Sequence, residues 1–276
     1  MILDTAVAIA QRRVGKIGEQ YFAGRTRAVL ERSIIAFKSS TWIVVLTGFV
    51  EPVLFLFAFG YGIGELIGDV VPVNGEAITY AMYIAPGLLA TSAMNGAIYD
   101  STWNVFFKIR HGRLYHSMLA TSLGPLDVAL GEIIWALLRG LIYSLGFMAV
   151  VTPLGLVKSW WAIAAVGAAV IIAFAFSAVG MALTSYMKTF QQMDMINVAL
   201  LPMFLFSGSF YPITVFPEWI QRVIQALPLW HAIELVRNLM LGNISADLLT
   251  HLLYFAVMIA IGLFVTTRRL TALFMK

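Results

Sequence analysis

Six stretches of about 20 mostly apolar residues leave this chain few architectures, because each is long enough to cross a hydrocarbon core of about 30 Å. They lie at Thr41–Ile63, Tyr80–Phe106, Val128–Val151, Trp161–Met187, Met193–Tyr211 and Leu248–Thr267. At that depth no water can satisfy backbone N–H and C=O groups, so each stretch is expected to be helical. Composition agrees. Of 276 residues, 61% are hydrophobic and 12% charged, where soluble domains carry about 45–50% and about 25%. So few charges cannot cover so much apolar surface, and lipid has to serve as solvent. The second and fifth stretches are the least clean, since they contain Asn95, Asp100 and Asn197. The expected fold is an all-α integral membrane protein, one domain over 1–276 with its six-span bundle at 41–267.

The connections carry the orientation. Arg12, Arg13, Lys16, Arg25, Arg27, Arg32 and Lys38 precede the first span. Lys108, Arg110 and Arg113 follow the second, Lys188 the fourth, and Arg268, Arg269 and Lys276 the sixth. The opposite side holds only Lys158, Arg222 and Arg237, which makes 14 basic residues against three, with Arg139 inside a span. Cytoplasmic flanks collect Lys and Arg, so both termini are expected in the cytoplasm of a multi-pass cytoplasmic (inner) membrane protein. The net charge of +4 is then a topological signal. With no basic–aromatic module behind it, no nucleic-acid partner is expected. Cysteine is absent, which excludes disulfides and thiolate metal sites. The segment before the first span lacks the apolar core of a cleavable signal.

Three segments do not span. Residues 17–38 interleave Tyr21, Phe22, Val29, Leu30, Ile34, Ile35 and Phe37 with basic side chains, the pattern of an amphipathic helix in the cytoplasmic interface. Phe107–Pro125 is a cytoplasmic connection too rich in structure-forming residues for a simple turn. Pro212–Asp247, on the outer side, is punctuated by Pro212, Pro217 and Pro228. Trp219, Ile220, Val223, Ile224 and Leu227 recur there at helical spacing, and a second helical stretch runs from Leu229 to Leu241. Together they read as a re-entrant helical hairpin before the last span.

Charges inside spans cost about 2.5–3.5 kcal/mol each on insertion scales, so each invites a functional reading. Glu51 precedes a helix-kinking Pro52. It either faces a cavity and a cationic substrate or pairs with a charge on a neighbouring helix, and the pairing is the expectation. Glu132 and Arg139, seven apart, share a helix face but are too distant for a tight pair, so their partners are expected on other helices. Asp100 and Asn104 lie one turn apart, and Asp127 and Asp194 open the third and fifth spans. An interhelical polar clamp competes with a pathway role at each. Enzyme chemistry is missing. There is no GxxxxGK[ST] phosphate loop, no HExxH cluster and no GxSxG elbow. The four histidines fit no metal-ligand spacing, and no cofactor is expected in this chain.

Several blocks resemble one family. Leu201-Pro-Met-Phe-Leu-Phe-Ser-Gly-Ser-Phe-Tyr-Pro212, Phe216-Pro-Glu-Trp219 and Leu227-Pro-Leu-Trp-His-Ala-Ile-Glu-Leu-Val-Arg237 resemble the end of ABC type 2 permeases. Leu119-Ala-Thr-Ser-Leu-Gly-Pro125, with Leu130-Gly-Glu132 and Leu138-Arg-Gly140, resembles the family's middle block, and Glu51-Pro52 through Gly60-Tyr-Gly-Ile-Gly64 its first span. The likeness covers about residues 25–276 and is nearest to nodulation lipo-oligosaccharide and daunorubicin-resistance permeases. Ser122 departs from it, standing where many members place proline.

The resemblance implies a non-enzymatic permease subunit of an ATP-driven exporter of an amphipathic substrate (a glycolipid, a lipo-oligosaccharide or a hydrophobic drug). Its partners would be two copies of an ABC ATP-binding subunit, which hold ATP and Mg, and a second permease chain, a homodimer before a heterodimer. Lys108, Arg110, His111, Arg113, Tyr115 and His116 would belong to the coupling helix region that docks on the ATPase. Glu51, Asn95, Asp100, Asn104, Glu132 and Arg139 are the pathway or interhelical polar candidates. Ser207, Gly208, Pro212, Pro217, Trp219, Pro228, Glu234 and Arg237 would shape the outer hairpin. The competing reading is an ion-coupled secondary transporter with Asp100 or Glu132 as relay.

Overall fold

A computed structural model describes residues 22–38, 43–70, 77–110 and 114–274. It is helical apart from one short ribbon, as an apolar chain with no water for its backbone should be. Helix α1 (Thr26–Lys38) leads to α2 (Ile43–Phe55), whose course continues through a π-helical segment (Leu56–Ile63) into α3 (Gly64–Ile67). Strands β1 (Asp69–Val70) and β2 (Ile78–Thr79) pair antiparallel, Asp69 opposite Thr79. Then follow α4 (Tyr80–Tyr99), a π turn (Asp100–Asn104), α5 (Val105–Arg110), α6 (Leu114–Leu119), α7 (Pro125–Val151), α8 (Ala162–Tyr186) and α9 (Phe190–Phe206). A 3₁₀ turn (Ile213–Val215) precedes α10 (Glu218–Gln225), α11 (Pro228–Leu241) and α12 (Asp247–Phe274).

Among the described residues four stretches are long and apolar enough to cross a membrane: Val50–Ile67, Pro125–Val151, Ala162–Tyr186 and Asp247–Leu273. The two other expected spans differ for local reasons. Helix α4 has 20 residues but includes Thr91, Ser92 and Asn95, and α9 is apolar but has only 17. The amphipathic helix expected from residue 17 begins at Thr26, because residues 22–25 are non-helical; 17–21 lie outside the described residues.

Helix α8 is the axis of the bundle, with α12, α7 and α4 packed around it. Its buried face is Ala165, Ala168, Ala169, Ala173, Ala175 and Ala178. Small side chains let helix backbones approach closely where lipid gives no hydrophobic drive for association. Ile84, Leu88, Leu89, Met94, Phe147 and Ile172 fill the space between. The opposite face of α12 exposes Leu249, Leu253, Val257, Ile261 and Phe264, spaced about one turn apart, an apolar stripe suited to lipid. Helices α2 and α9 are held more loosely, and of α9 only Met193 and Ile196 are buried.

Candidate functional site

Two polar regions lie inside this apolar bundle. The first is a seam between α4–α5 and α7. Arg139 Nη1 meets Asp100 Oδ1 at 2.5 Å, and Lys108 Nζ meets Glu132 Oε2 at 2.5 Å. Both acids and Lys108 are buried or nearly so, and Arg139 is four-fifths buried. The helices run antiparallel, with acid before base on each, so the charges match in one register only. Eight residues separate Asp100 from Lys108 and seven separate Glu132 from Arg139. The π turn at Asp100–Asn104 takes up the additional residue. Arg139 Nε and Nη2 also donate to Tyr143 Oη, at 3.2 and 2.5 Å. The Tyr143 ring lies against Gly48 of α2 and Gly96 of α4, where any Cβ would collide with it. One aromatic ring thus joins three helices.

Toward the end of the seam near α1, Asp127 is fully buried. Its carboxylate accepts from the N–H groups of Ala23 (2.7 Å), Arg25 (2.8 Å) and Gly124 (3.0 Å), and from the Thr26 hydroxyl (3.2 Å). One acid therefore caps both α7 and α1. Arg25 also reaches Ser122, so α1 and the α6–α7 turn are fastened together.

The second region is a cleft of about 360 Å³ between α2, α4 and α9. Its polar lining is Glu51, Thr91, Ser92, Asn95, Tyr99 and Asn197, and Phe55 and Phe204 supply aromatic wall. Pro52 lacks the N–H that would bond the Gly48 carbonyl one turn back, and Ser92 Oγ donates to that carbonyl at 3.1 Å. Thr91 is turned onto its own helix, at Gly87 O.

At the far end, Arg237 is buried and donates to Glu234 Oε1 (2.6 Å) and to the Gly208 carbonyl (2.7 Å), its guanidinium stacked 4.2 Å from the Tyr83 ring. Gly208 has φ +77°, a left-handed turn that disfavours a side chain, and the arginine fixes it from beneath. Nearby, Nδ1 of His231 and Nδ1 of His251 are 2.7 Å apart, within hydrogen-bond distance, with Tyr254 stacked on His231. Among the described residues no group of three or more His, Asp or Glu could hold a metal ion.

The structure thus sorts the sequence candidates. Glu51 and Asn95 share the cleft, whereas Asp100, Glu132 and Arg139 belong to the seam and Asn104 lies in the π turn, away from the cleft lining. The charged partner expected for Glu51 is missing among the described residues, because the side chain points into the cleft. Lys108 and Tyr115 cannot offer a docking surface here. Lys108 is spent on Glu132, and Tyr115 is fully buried. Burial, and then the Glu132 carboxylate, push the Tyr115 hydroxyl well above its ordinary pKa, so it stays protonated. Arg110 is exposed, with Nη2 on the Met187 carbonyl. His111, Arg113 and the His116 side chain lie outside the described residues. Of the hairpin set, Ser207, Gly208, Glu234 and Arg237 converge on the turn, Pro217 and Pro228 begin α10 and α11, Pro212 precedes the 3₁₀ turn, and Trp219 is exposed. The double cap at Asp127 and the wedge at Tyr143 were not legible as sites. Asn197 was visible as an amide in an apolar stretch.

The model of the family described as "ABC-2 type transporter" matches residues 25–241. Nodulation protein J of Rhizobium leguminosarum bv. viciae is 28% identical over 250 residues, covering 90% of this chain and 95% of the relative. Nodulation protein J of Sinorhizobium fredii is 31% identical over 236 residues, covering 84% and 88%. The inner membrane transport permease YadH of Escherichia coli is 27% identical over 204 residues, covering 71% and 75%. A match across most of the chain, on a multi-span bundle of the expected kind, places it: the chain belongs to the ABC-2 type transporter family, as a membrane permease component.

Proposed function

We propose that this permease spans the cytoplasmic membrane six times with both termini inside, pairs with a second copy, and exports an amphipathic substrate on the work of two ATP-binding subunits. The observation that carries the reading is the cleft. Its lining residues, 51–55, 88–99 and 197–204, set it near the middle of α2, α4 and α9, the depth at which a transporter holds its substrate. Helices α4 and α9 supply the remaining two spans, and α10 and α11 form the hairpin that closes the outer end.

The docking surface is redrawn from the exposed positions of the connection, Arg110, Ser117, Thr121 and Ser122, rather than from Lys108 and Tyr115. Through the Asp127 cap and the charged seam, a push there would move α1, α4 and α7 as one block. The loosely held α9 would then open or close the cleft against it. Family membership replaces the ion-coupled alternative, and Asp100 and Glu132, each ion-paired, are read as structural acids rather than a relay.

Gentle purification from native membranes tests this. An ATP-binding subunit is expected to accompany the chain in equal amount, with vanadate-sensitive ATP hydrolysis. An intact, ATPase-free assembly of this chain would overturn the reading.

A further inference from the structure

The buried acids of this bundle all have partners, whereas Glu51, exposed along the cleft, has none among the described residues. Asp100 has Arg139, Glu132 has Lys108, Glu234 has Arg237, and Asp127 has three backbone N–H groups. Glu51 has neither a cation nor a hydrogen-bond donor among the described residues, although it stands within the first apolar helix. A carboxylate at that depth is costly unless something neutralises it.

The lining around it says what that something is. Ser92 and Thr91 are already committed to backbone carbonyls. That leaves Glu51, Asn95, Asn197 and Tyr99 converging on the cleft with no internal partner among the described residues. Among the described residues no Lys or Arg lines it, so these offer a phosphate or sulfate head group no counter-charge. Phe55 and Phe204 line the same cleft, their ring centroids 6.0 Å apart. An acid, two amides, a phenol and aromatic wall suit an apolar body bearing a protonated amine. The ammonium meets Glu51, the amides orient flanking carbonyl or hydroxyl groups, and the rings take the apolar part and the cation's edge.

We propose that Glu51 is the specificity-determining residue of the cleft and selects amphiphiles that carry a protonated amine. The proposal rests on the reading of the cleft as the transport path. It narrows the substrate to a cationic amphiphile and disfavours anionic lipids.

The test uses the purified permease with its ATP-binding subunit in lipid nanodiscs. The probes are dansylcadaverine, a fluorescent primary amine, and its neutral N-acetyl derivative. Wild type is expected to bind the amine about tenfold more tightly than the acetylated probe, the scale of a charge-assisted hydrogen bond. In Glu51→Gln the two probes should bind alike, at the wild-type affinity for the neutral one, and Glu51→Asp should retain part of the preference. Equal binding of both probes by wild type overturns the proposal, as does an amine preference that survives Glu51→Gln. A loss of paired copies in Glu51→Gln with the preference unchanged overturns it too, by showing that Glu51 serves the contact between copies. ATP-binding subunit content is read on the same preparation. A complete complex without amine preference sinks this inference alone, whereas absence of that subunit sinks the function beneath it and leaves probe binding measurable.

Discussion

The seam and the cleft both set acids among apolar helices that neighbour one another, yet they solve opposite problems. In the seam every charge is matched across α4–α5 and α7, and the π turn adjusts one helix by a residue so that both pairs close together. In the cleft a single acid is left open among amides and rings. Buried ion pairs contribute little net stability against apolar isosteres, but they penalise any displacement that separates them. The seam therefore reads as a device for keeping two helices in register while force passes along them. The cleft keeps its charge available. The difference suggests that polarity in a membrane protein should be read by whether its partner is already present.

The largest effect should come from breaking the seam. Arg139→Met leaves Asp100 buried without its cation and is expected to cost about 3–5 kcal/mol. Changing both, Asp100→Leu with Arg139→Met, should recover most of that. Thermal unfolding of the purified protein in nanodiscs measures it, with Glu51→Gln beside it. Glu51→Gln should leave stability within about 0.5 kcal/mol of wild type, since no protein partner is lost. If Glu51→Gln destabilises as much as Arg139→Met, the contrast between the regions fails.

A smaller effect is expected at the outer end, where a cation serves a backbone turn. Arg237 contacts Glu234 and the Gly208 carbonyl together and lies on the Tyr83 ring. Lysine keeps the charge but lacks the planar fork that makes these contacts at once. Arg237→Lys should cost about 1–3 kcal/mol, the range for losing a charge-assisted hydrogen bond, with Tyr83 Oη still reaching the Gly208 carbonyl. Hydrogen exchange should show faster loss of protection around Ser209 than around α7. Uniform loss across the bundle would mean that the arginine supports the whole core.

Much of this was legible in sequence, and the reasons differ by element. Span positions follow from length and hydropathy, and the helices agree with them within a few residues at most ends. Helix α9 ends at Phe206, five residues before the expected Tyr211, because the chain turns at Ser207–Gly208. Glu132 and Arg139 could be placed on one face with partners elsewhere, because spacing alone decides that. Which partners they take could not be read, since it depends on the antiparallel neighbour and on a π turn that no local signal announces. The surroundings of the docking candidates could not be read for a related reason. Lys108 is basic and cytoplasmic in the sequence, but its face of the helix is set by the same π turn. Asp127 was visible as an acid near a helix start. Its second cap, on α1, joins residues about a hundred positions apart.

The smallest predicted effect tests whether the cleft wall is fixed by the proline kink. Pro52 leaves the Gly48 carbonyl without its helical donor, and Ser92 Oγ supplies one from α4. Ser92→Ala should therefore cost about 1 kcal/mol, the net worth of one hydrogen bond. In a Pro52→Ala background the helix regains its own N–H at that position, so the same Ser92→Ala change should cost close to nothing. The difference between the two costs is the coupling energy of a double-mutant cycle, and it isolates the hydroxyl–carbonyl bond from packing around it. A Ser92→Ala cost that is the same with and without the proline would mean that the serine acts by filling space. The α2–α4 wall would then owe its position to Tyr143 pressed against Gly48 and Gly96, and the cleft would be shaped by the seam itself.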